Sequence, residues 1–262
     1  MTDRREGKNL THSIVQDLGT AIVTGVYSDK RPFPTESELC EQYQVSRPVL
    51  REAVKMLTSK GLLAARPRRG TWVQSEAQWN LLDPDILGWI LERKFSTRLL
   101  QEFTQVRAAI EPAAAALAAQ VTEPAQLRPI TLALERMRAA ERGKDDPLES
   151  DIAFHVAILQ ATNNRFYAQF TDLIATALRF SIRATNRYKG VRQASIPDHK
   201  AVADAIIAQR PQAAAKAMSV LIQEVLDLTA AAQTKPAAPR PKAQAKAAAP
   251  RSAAKRATRT RK

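Results

Sequence analysis

Two of the chain's three histidines, His155 and His199, fall on apolar helical stripes, and Asp151 stands four residues before the first of them. Residues four apart share one side of a helix, so Asp151 and His155 project together, flanked by Ile152, Phe154, Ile158 and Leu159. His199 shares its stripe with Val202, Ala203 and Ile206. On a third stripe, formed by Phe103, Arg107, Ile110, Ala114 and Leu117, Glu111 lies one turn past the Arg107 guanidinium. A guanidinium facing a core needs a carboxylate partner, and either Glu111 or an acidic ligand can supply it. Imidazole nitrogens and a carboxylate oxygen can together hold a metal ion. Without a metal, the same groups can hydrogen-bond the hydroxyls of a small molecule. Taken singly, each inward polar residue is more often a satisfied core group than a ligand. Their convergence on three apolar stripes favours a site, because helix bundles build metal and ligand sites from facing side chains.

A second set of residues is suited to nucleic acid. Arg47 and Arg51 are four apart, so both project from the N-terminal end of one helix, and guanidinium forks match guanine O6/N7 or phosphate. Residues 46–70 hold seven basic residues and a single acid, Glu52. Charge alone fits a solvated basic face. The elements around it argue for more. Thr35-Glu-Ser-Glu38 is a capping box that starts a helix, with Leu39 and Cys40 as its apolar face. Val45 closes a turn, Ser46 is placed to N-cap a second helix, and Pro48 sits in the first turn, where its missing N–H costs nothing. Leu50, Val54 and Leu57 face inward. Lys60-Gly61 ends that helix, and residues 62–65, 66–70 and 71–73 read as strand, basic turn and strand. This order is a winged helix-turn-helix, which puts the second helix in a major groove.

The elements that must position both sets divide the 262 residues into a DNA-binding unit at 1–76, a linker at 77–83, and an all-α unit at 84–233. The fold class is mainly α. The first helix is expected at 11–27, with Ile14, Leu18, Ile22 and Val26 inward. The second unit reads as an antiparallel bundle of six or seven helices, at about 84–94, 97–120, 123–142, 148–161, 164–188, 196–209 and 212–233. The remaining residues, 234–262, form a Lys/Arg/Pro/Ala tail. From residue 235 onward the tail carries ten basic residues and no acid, against a net charge of +14 for the whole chain. Such a composition predicts disorder and nonspecific, salt-dependent attraction to phosphate. Cys40 is the lone cysteine, which precludes an intramolecular disulfide. No run suits a signal peptide or a membrane span, so a cytoplasmic protein with no membrane partner is expected.

Residues 33–73 resemble the DNA-binding domain of the GntR family of bacterial regulators. The resemblance lies in Phe33-Pro34, Glu36, Glu38-Leu39, the run from Val45 to Ala53, Leu57, Gly61-Leu62 and Arg69-Gly70-Thr71-Trp72-Val73. It implies DNA contacts from Arg47 and Arg51 and close approach of the wing tip at Gly70 to a minor groove. The DNA-facing set is then Ser46, Arg47, Pro48, Arg51, Arg66, Arg69 and Gly70. Ser37 stands where many members carry an arginine, a departure that bears on the operator sequence.

The second unit resembles the FCD ligand-binding domain of the FadR subfamily, through Arg107-x-x-Ile110-Glu111, Asp151-x-x-x-His155, Asn163-Asn164 and Asp198-His199 followed by Ala205-Ile206. This implies a divalent metal, zinc or a similar ion, on Asp151, His155 and His199 and a small carboxylate effector beside it, with Arg107 and Glu111 in the same site. Many members have a further histidine where this chain has Leu221. The run Gln78-Trp-Asn-x-Leu-Asp-x-Asp-x-Leu-x-Trp89 is similar to that of members sensing sugar acids, which implies an effector of the galactonate kind with Arg107 as its carboxylate clamp. The resulting expectation is a homodimeric, nonenzymatic repressor, released from double-stranded operator DNA by the acid. Three other readings remain: a regulator answering to lactate, a dicarboxylate or an acyl ligand; an architectural DNA-binding protein working through the tail; and a metal-dependent hydrolase. The last lacks any neighbouring residue that stands out as general base or nucleophile.

Overall fold

The computed structural model describes residues 3–28, 30–93, 97–189 and 195–234. From residue 235 on, the basic tail lies outside the described residues. Among those described, helices dominate and the only sheet is one antiparallel hairpin. None of the described helices is long and apolar enough to cross a membrane.

Helix α1 runs from Asp3 to Val23, starting earlier and ending sooner than the expected 11–27. Its end is fixed by Gly25 at φ 72°, a left-handed position that glycine occupies without strain. The amides of Gly25 and Val26 bond back to the carbonyls of Ile22 and Ala21, both at 2.9 Å, which closes the helix as a Schellman cap. Val26 therefore leaves the inward stripe and is 37% exposed, while Ile14, Leu18 and Ile22 are buried as expected. Helix α2 (Glu36–Tyr43) opens on the Thr35–Glu38 capping box. Gln44, at φ 53°, turns the chain into α3 (Arg47–Ser59). Strands β1 (Leu63–Arg66) and β2 (Gly70–Val73) pair with Arg66 opposite Gly70. Leu39, Leu50, Leu57, Leu62 and Leu63 join the α1 stripe in one core.

Helix α4 (Pro84–Arg93) has two apolar faces. Ile86 and Trp89 are buried in the N-terminal core, whereas Leu87 and Leu91 pack with Leu173 and Ala177. The Trp89 indole N–H donates to Gln16 Oε1 at 2.7 Å. The approach to α4 is fastened to the end of α3: Lys60 Nζ lies 2.7 Å from Asp83 and 2.8 Å from Asp85, and the Asn80 amide donates to the Lys60 carbonyl.

The bundle continues with α5 (Thr97–Ala118), α6 (Pro124–Glu141), α7 (Pro147–Ala161), α8 (Arg165–Ala168), α9 (Thr171–Lys189), α10 (Ile196–Ile207) and α11 (Pro211–Thr234). The single helix expected at 164–188 is two. Asn164 caps a one-turn α8 through the Phe166 amide, and the chain then turns at Gln169 and Phe170, which lets Phe170 reach the cluster between α4 and α9. Helix α11 lies along α5, α6 along α7, and α9 and α5 both pack on α7. Phe154, Ile130, Met137, Ile158, Val202 and Ile222 are among the side chains filling the core between them.

Candidate metal and effector site, and DNA-binding face

Three helices bring five polar side chains into that core. Asp151 and His155 come from α7, His199 from α10, and Arg107 and Glu111 from α5, each no more than 3% exposed. Asp151 Oδ1 lies 3.3 Å from His155 Nε2 and 3.2 Å from His199 Nε2. The other nitrogen of each ring is anchored. His155 Nδ1 is 2.5 Å from Glu111 Oε2, and His199 Nδ1 is 2.7 Å from the Ser195 carbonyl oxygen. Carboxylate and carbonyl oxygens accept hydrogen bonds, so each Nδ1 donates and each Nε2 turns toward Asp151. Phe154 lines the group, its ring 5.0 Å from that of His199.

The charges interlock. Burial opposes ionisation of Glu111, but the Arg107 and His155 charges hold its carboxyl down at about 2. Burial also opposes the Asp151 charge, and hydrogen bonds from both imidazoles bring this carboxyl well below the usual carboxylate range. Burial would lower His155; the Glu111 charge and the Asp151 contact instead push it up to about 9. Positive charge is therefore in demand where Asp151 meets the two Nε2 atoms. An imidazolium proton or a divalent cation can supply it.

The donor set fits a cation. The candidate ligand atoms of Asp151, His155 and His199 all lie within 4.8 Å of one another, and contacts of about 3.3 Å match the edge of a tetrahedron with bonds of about 2.0 Å. Anchored Nδ1–H groups are the usual outer support of metal-binding histidines. Leu221, on α11, is buried among apolar neighbours and adds no ligand. Arg107 directs Nε to Glu111 Oε1 at 2.5 Å and Nη2 to Oε2 at 3.4 Å. Glu111 thus serves as a carboxylate partner of the guanidinium.

All five expected residues thus meet in one network. Sequence reasoning missed the Ser195 carbonyl, although its place one helical turn before His199 was a usable signal. Phe154, expected to flank Asp151 and His155, also packs its ring against that of His199.

On the DNA-binding unit, Arg47 and Arg51 are exposed at the start of α3. Ser46 occupies the N-cap position, yet its side chain makes no cap hydrogen bond. A capping oxygen reaches the second or third amide of the helix; Pro48, the second residue, has none, and that of Val49, the third, is not taken by Ser46. Arg66, Arg68, Arg69 and Gly70 are exposed on the wing, with the Arg69 guanidinium 4.6 Å over the Trp72 ring. Gly70 is at φ 77°, and a Cβ there would meet nothing within 4 Å. Its backbone is open to an approaching duplex. The feature with no sequence forecast is Glu36, which contacts both recognition-helix arginines.

A winged helix-turn-helix joined to a helical unit points to a DNA-binding regulator as a class. Residues 10–73 match the family described as "Bacterial regulatory proteins, gntR family", and residues 102–224 match "FCD domain". The chain is 36% identical to the galactonate operon transcriptional repressor of Escherichia coli K12, over 82% of this chain and 94% of that one. It is 29% identical to the Glc operon transcriptional activator of the same strain, over 81% and 85%. The solved structure of Lar from Listeria monocytogenes shares the fold at 14% identity, with a TM-score of 0.55 and coverage of 84% of this chain and 96% of that one. The chain belongs to the GntR family and carries an FCD domain. It is a transcription regulator and not an enzyme.

Proposed function

We propose that the protein is a homodimeric repressor that binds a two-fold operator and releases it when a small sugar acid enters the FCD domain. In this reading residues 1–76 bind DNA, 77–83 connect, and 84–233 sense the effector and dimerise. The observation that carries it is the buried Asp151–His155–His199 cluster, in which both Nε2 atoms lie within 3.3 Å of one carboxylate oxygen. Those three residues would hold a divalent ion, whose positive charge would attract the carboxylate and hydroxyl oxygens of the acid. Three protein ligands leave coordination positions for such oxygens. Similarity to the galactonate repressor across both domains supports a sugar acid.

Release follows from linkage. An acid that binds better to one arrangement of sensor and wings draws the population toward it, and DNA affinity falls by the same factor by which DNA weakens the acid. Dimerisation matches helix-turn-helix readers to half-sites one turn apart.

The test is a thermal-shift screen of galactonate, gluconate, lactate, glycolate and dicarboxylates on metal-loaded and chelated protein, followed by operator release with each acid that binds. A stabilising sugar acid that frees the operator supports the proposal. Stabilisation by lactate or a dicarboxylate alone would move the assignment to another carboxylate pathway.

A further inference from the structure

Glu36 stands in the first turn of α2, and both arginines it touches belong to α3. The Arg51 Nε–H donates to the carboxylate at 3.2 Å from Oε1 and 3.1 Å from Oε2, and Arg47 Nε lies 3.9 Å from Oε1. The contact spans the two helices of the helix-turn-helix itself. Stability does not account for it. The guanidinium side chains are 67% and 68% exposed and that of Glu36 is 38% exposed, and ion pairs so exposed add little to folding.

Geometry gives a better account. A carboxylate engaged through Nε leaves the two Nη groups of a guanidinium as a free fork, the part that reads guanine O6 and N7 side by side. Held in this way, long side chains that would otherwise sample many rotamers have less freedom left to lose on meeting a base. The negative charge has a second effect. It disfavours a phosphate at the same edge of Arg51, so the guanidinium is kept from serving as one more backbone contact. Lys55, Arg66, Arg68 and Arg69 remain exposed for phosphate.

We propose that Glu36 is a positioning residue for base recognition, which holds Arg51, and Arg47 beside it, so that they discriminate sequence and do not merely grip the backbone. The proposal rests on Arg47 and Arg51 being the DNA-reading residues. Glu36 raises the ratio of specific to nonspecific affinity, and total affinity is not its function.

The experiment first selects a duplex from a random pool with the wild-type protein. Binding to that duplex and to a scrambled one is then measured at fixed salt for wild type, Glu36→Gln, Glu36→Asp, Arg51→Ala and Glu36→Gln with Arg51→Ala. Glu36→Gln is expected to weaken the selected duplex by about tenfold, within the range of one base-reading contact, and to leave scrambled DNA unchanged or slightly tighter. Glu36→Asp keeps the charge but shortens the reach, so it should lose discrimination without gaining scrambled affinity. The double variant should lose less on the selected duplex than the sum of the two single losses, because part of the effect of Glu36 passes through Arg51. Equal changes on both duplexes, or fully additive losses, would overturn the proposal; additivity would mean that the carboxylate reads a base itself. An Arg51→Ala variant that discriminates like wild type would remove the reading beneath it, a different failure from normal discrimination by Glu36→Gln beside a defective Arg51→Ala. Matching melting temperatures establish that each variant is folded.

Discussion

His155 Nδ1 and Glu111 Oε2 lie 2.5 Å apart in the bundle core, with both side chains 2% exposed. Glu111 thereby fixes which His155 nitrogen faces Asp151, and Arg107 in turn steadies Glu111. Glu111→Gln keeps the shape but removes the charge that orients and enriches the imidazole. Loss of such outer partners typically weakens metal binding by roughly 10- to 100-fold. Zinc affinity, measured by competition with a chromophoric chelator, is the readout. An unchanged affinity would reduce the Glu111 contact to ordinary core packing.

Metal removal gives a second prediction. A ligand bound only by the folded protein stabilises it by about 2.7 kcal/mol at a concentration a hundred times Kd. For a protein of this size each kcal/mol is worth about 2–4 °C. Chelation should therefore lower Tm by about 5–10 °C, readdition of zinc should restore it, and His199→Ala should abolish the response. A chelator-insensitive Tm in the wild type would leave the cluster as a hydrogen-bonded network alone.

Arg107 is predicted to be a structural residue before it is anything else. Its Nε and Nη2 face Glu111 in a buried pair. Removing one partner of such a pair leaves an uncompensated charge and costs about 3–5 kcal/mol. Arg107→Ala should therefore lower Tm in the absence of any effector, and Arg107→Ala with Glu111→Gln should recover part of the loss. A clamp role shows separately, as lost effector response in a variant that still melts cooperatively.

The sequence made the site legible because its signals were periodic: Asp151, His155, His199, Arg107 and Glu111 could each be placed on an apolar helical stripe before any contact was known. The Thr35–Glu38 capping box was legible for a similar reason, being local, and its two bonds form at 2.7 and 3.4 Å. What stayed hidden depended on distant partners or single backbone angles. Helical spacing runs through Gln169 and Phe170, yet the chain turns there because Phe170 finds a niche beside α4. The pairing of Glu36 with Arg51 spans fifteen positions, and no periodicity marks it. Residues 84–94 read as the start of the second unit, but Ile86 and Trp89 are buried with the first, since an apolar helix does not announce which neighbour each face will meet.

The basic tail gives a prediction that sequence alone supports. Ten unopposed cations between residues 235 and 262 should add counterion release and little else. Deleting them should weaken selected and scrambled duplexes alike and flatten the salt slope, with the preference between them intact. Loss of all DNA binding on deletion would favour an architectural role.

The last prediction concerns the junction of α1 and α4. A Cβ placed on Gly19 would lie 2.4 Å from two atoms of the Trp89 ring, closer than carbon atoms tolerate. Gly19→Ala must therefore displace the indole, and with it the 2.7 Å bond from its N–H to Gln16. Overpacking of this kind costs about 1–3 kcal/mol, and the better helix propensity of alanine offsets about 1 kcal/mol of that. A modest fall in Tm is expected, together with altered tryptophan emission as the ring leaves its buried seat. Because the opposite face of α4 packs on Leu173 and Ala177 of α9, and α9 packs on the helix carrying Asp151 and His155, the substitution should also weaken the coupling between effector and DNA. Titrating the acid with and without DNA measures that coupling directly. A raised Tm with unchanged emission would show that Trp89 is not wedged against α1, and a coupling factor equal to wild type would mean that the signal does not pass through this contact.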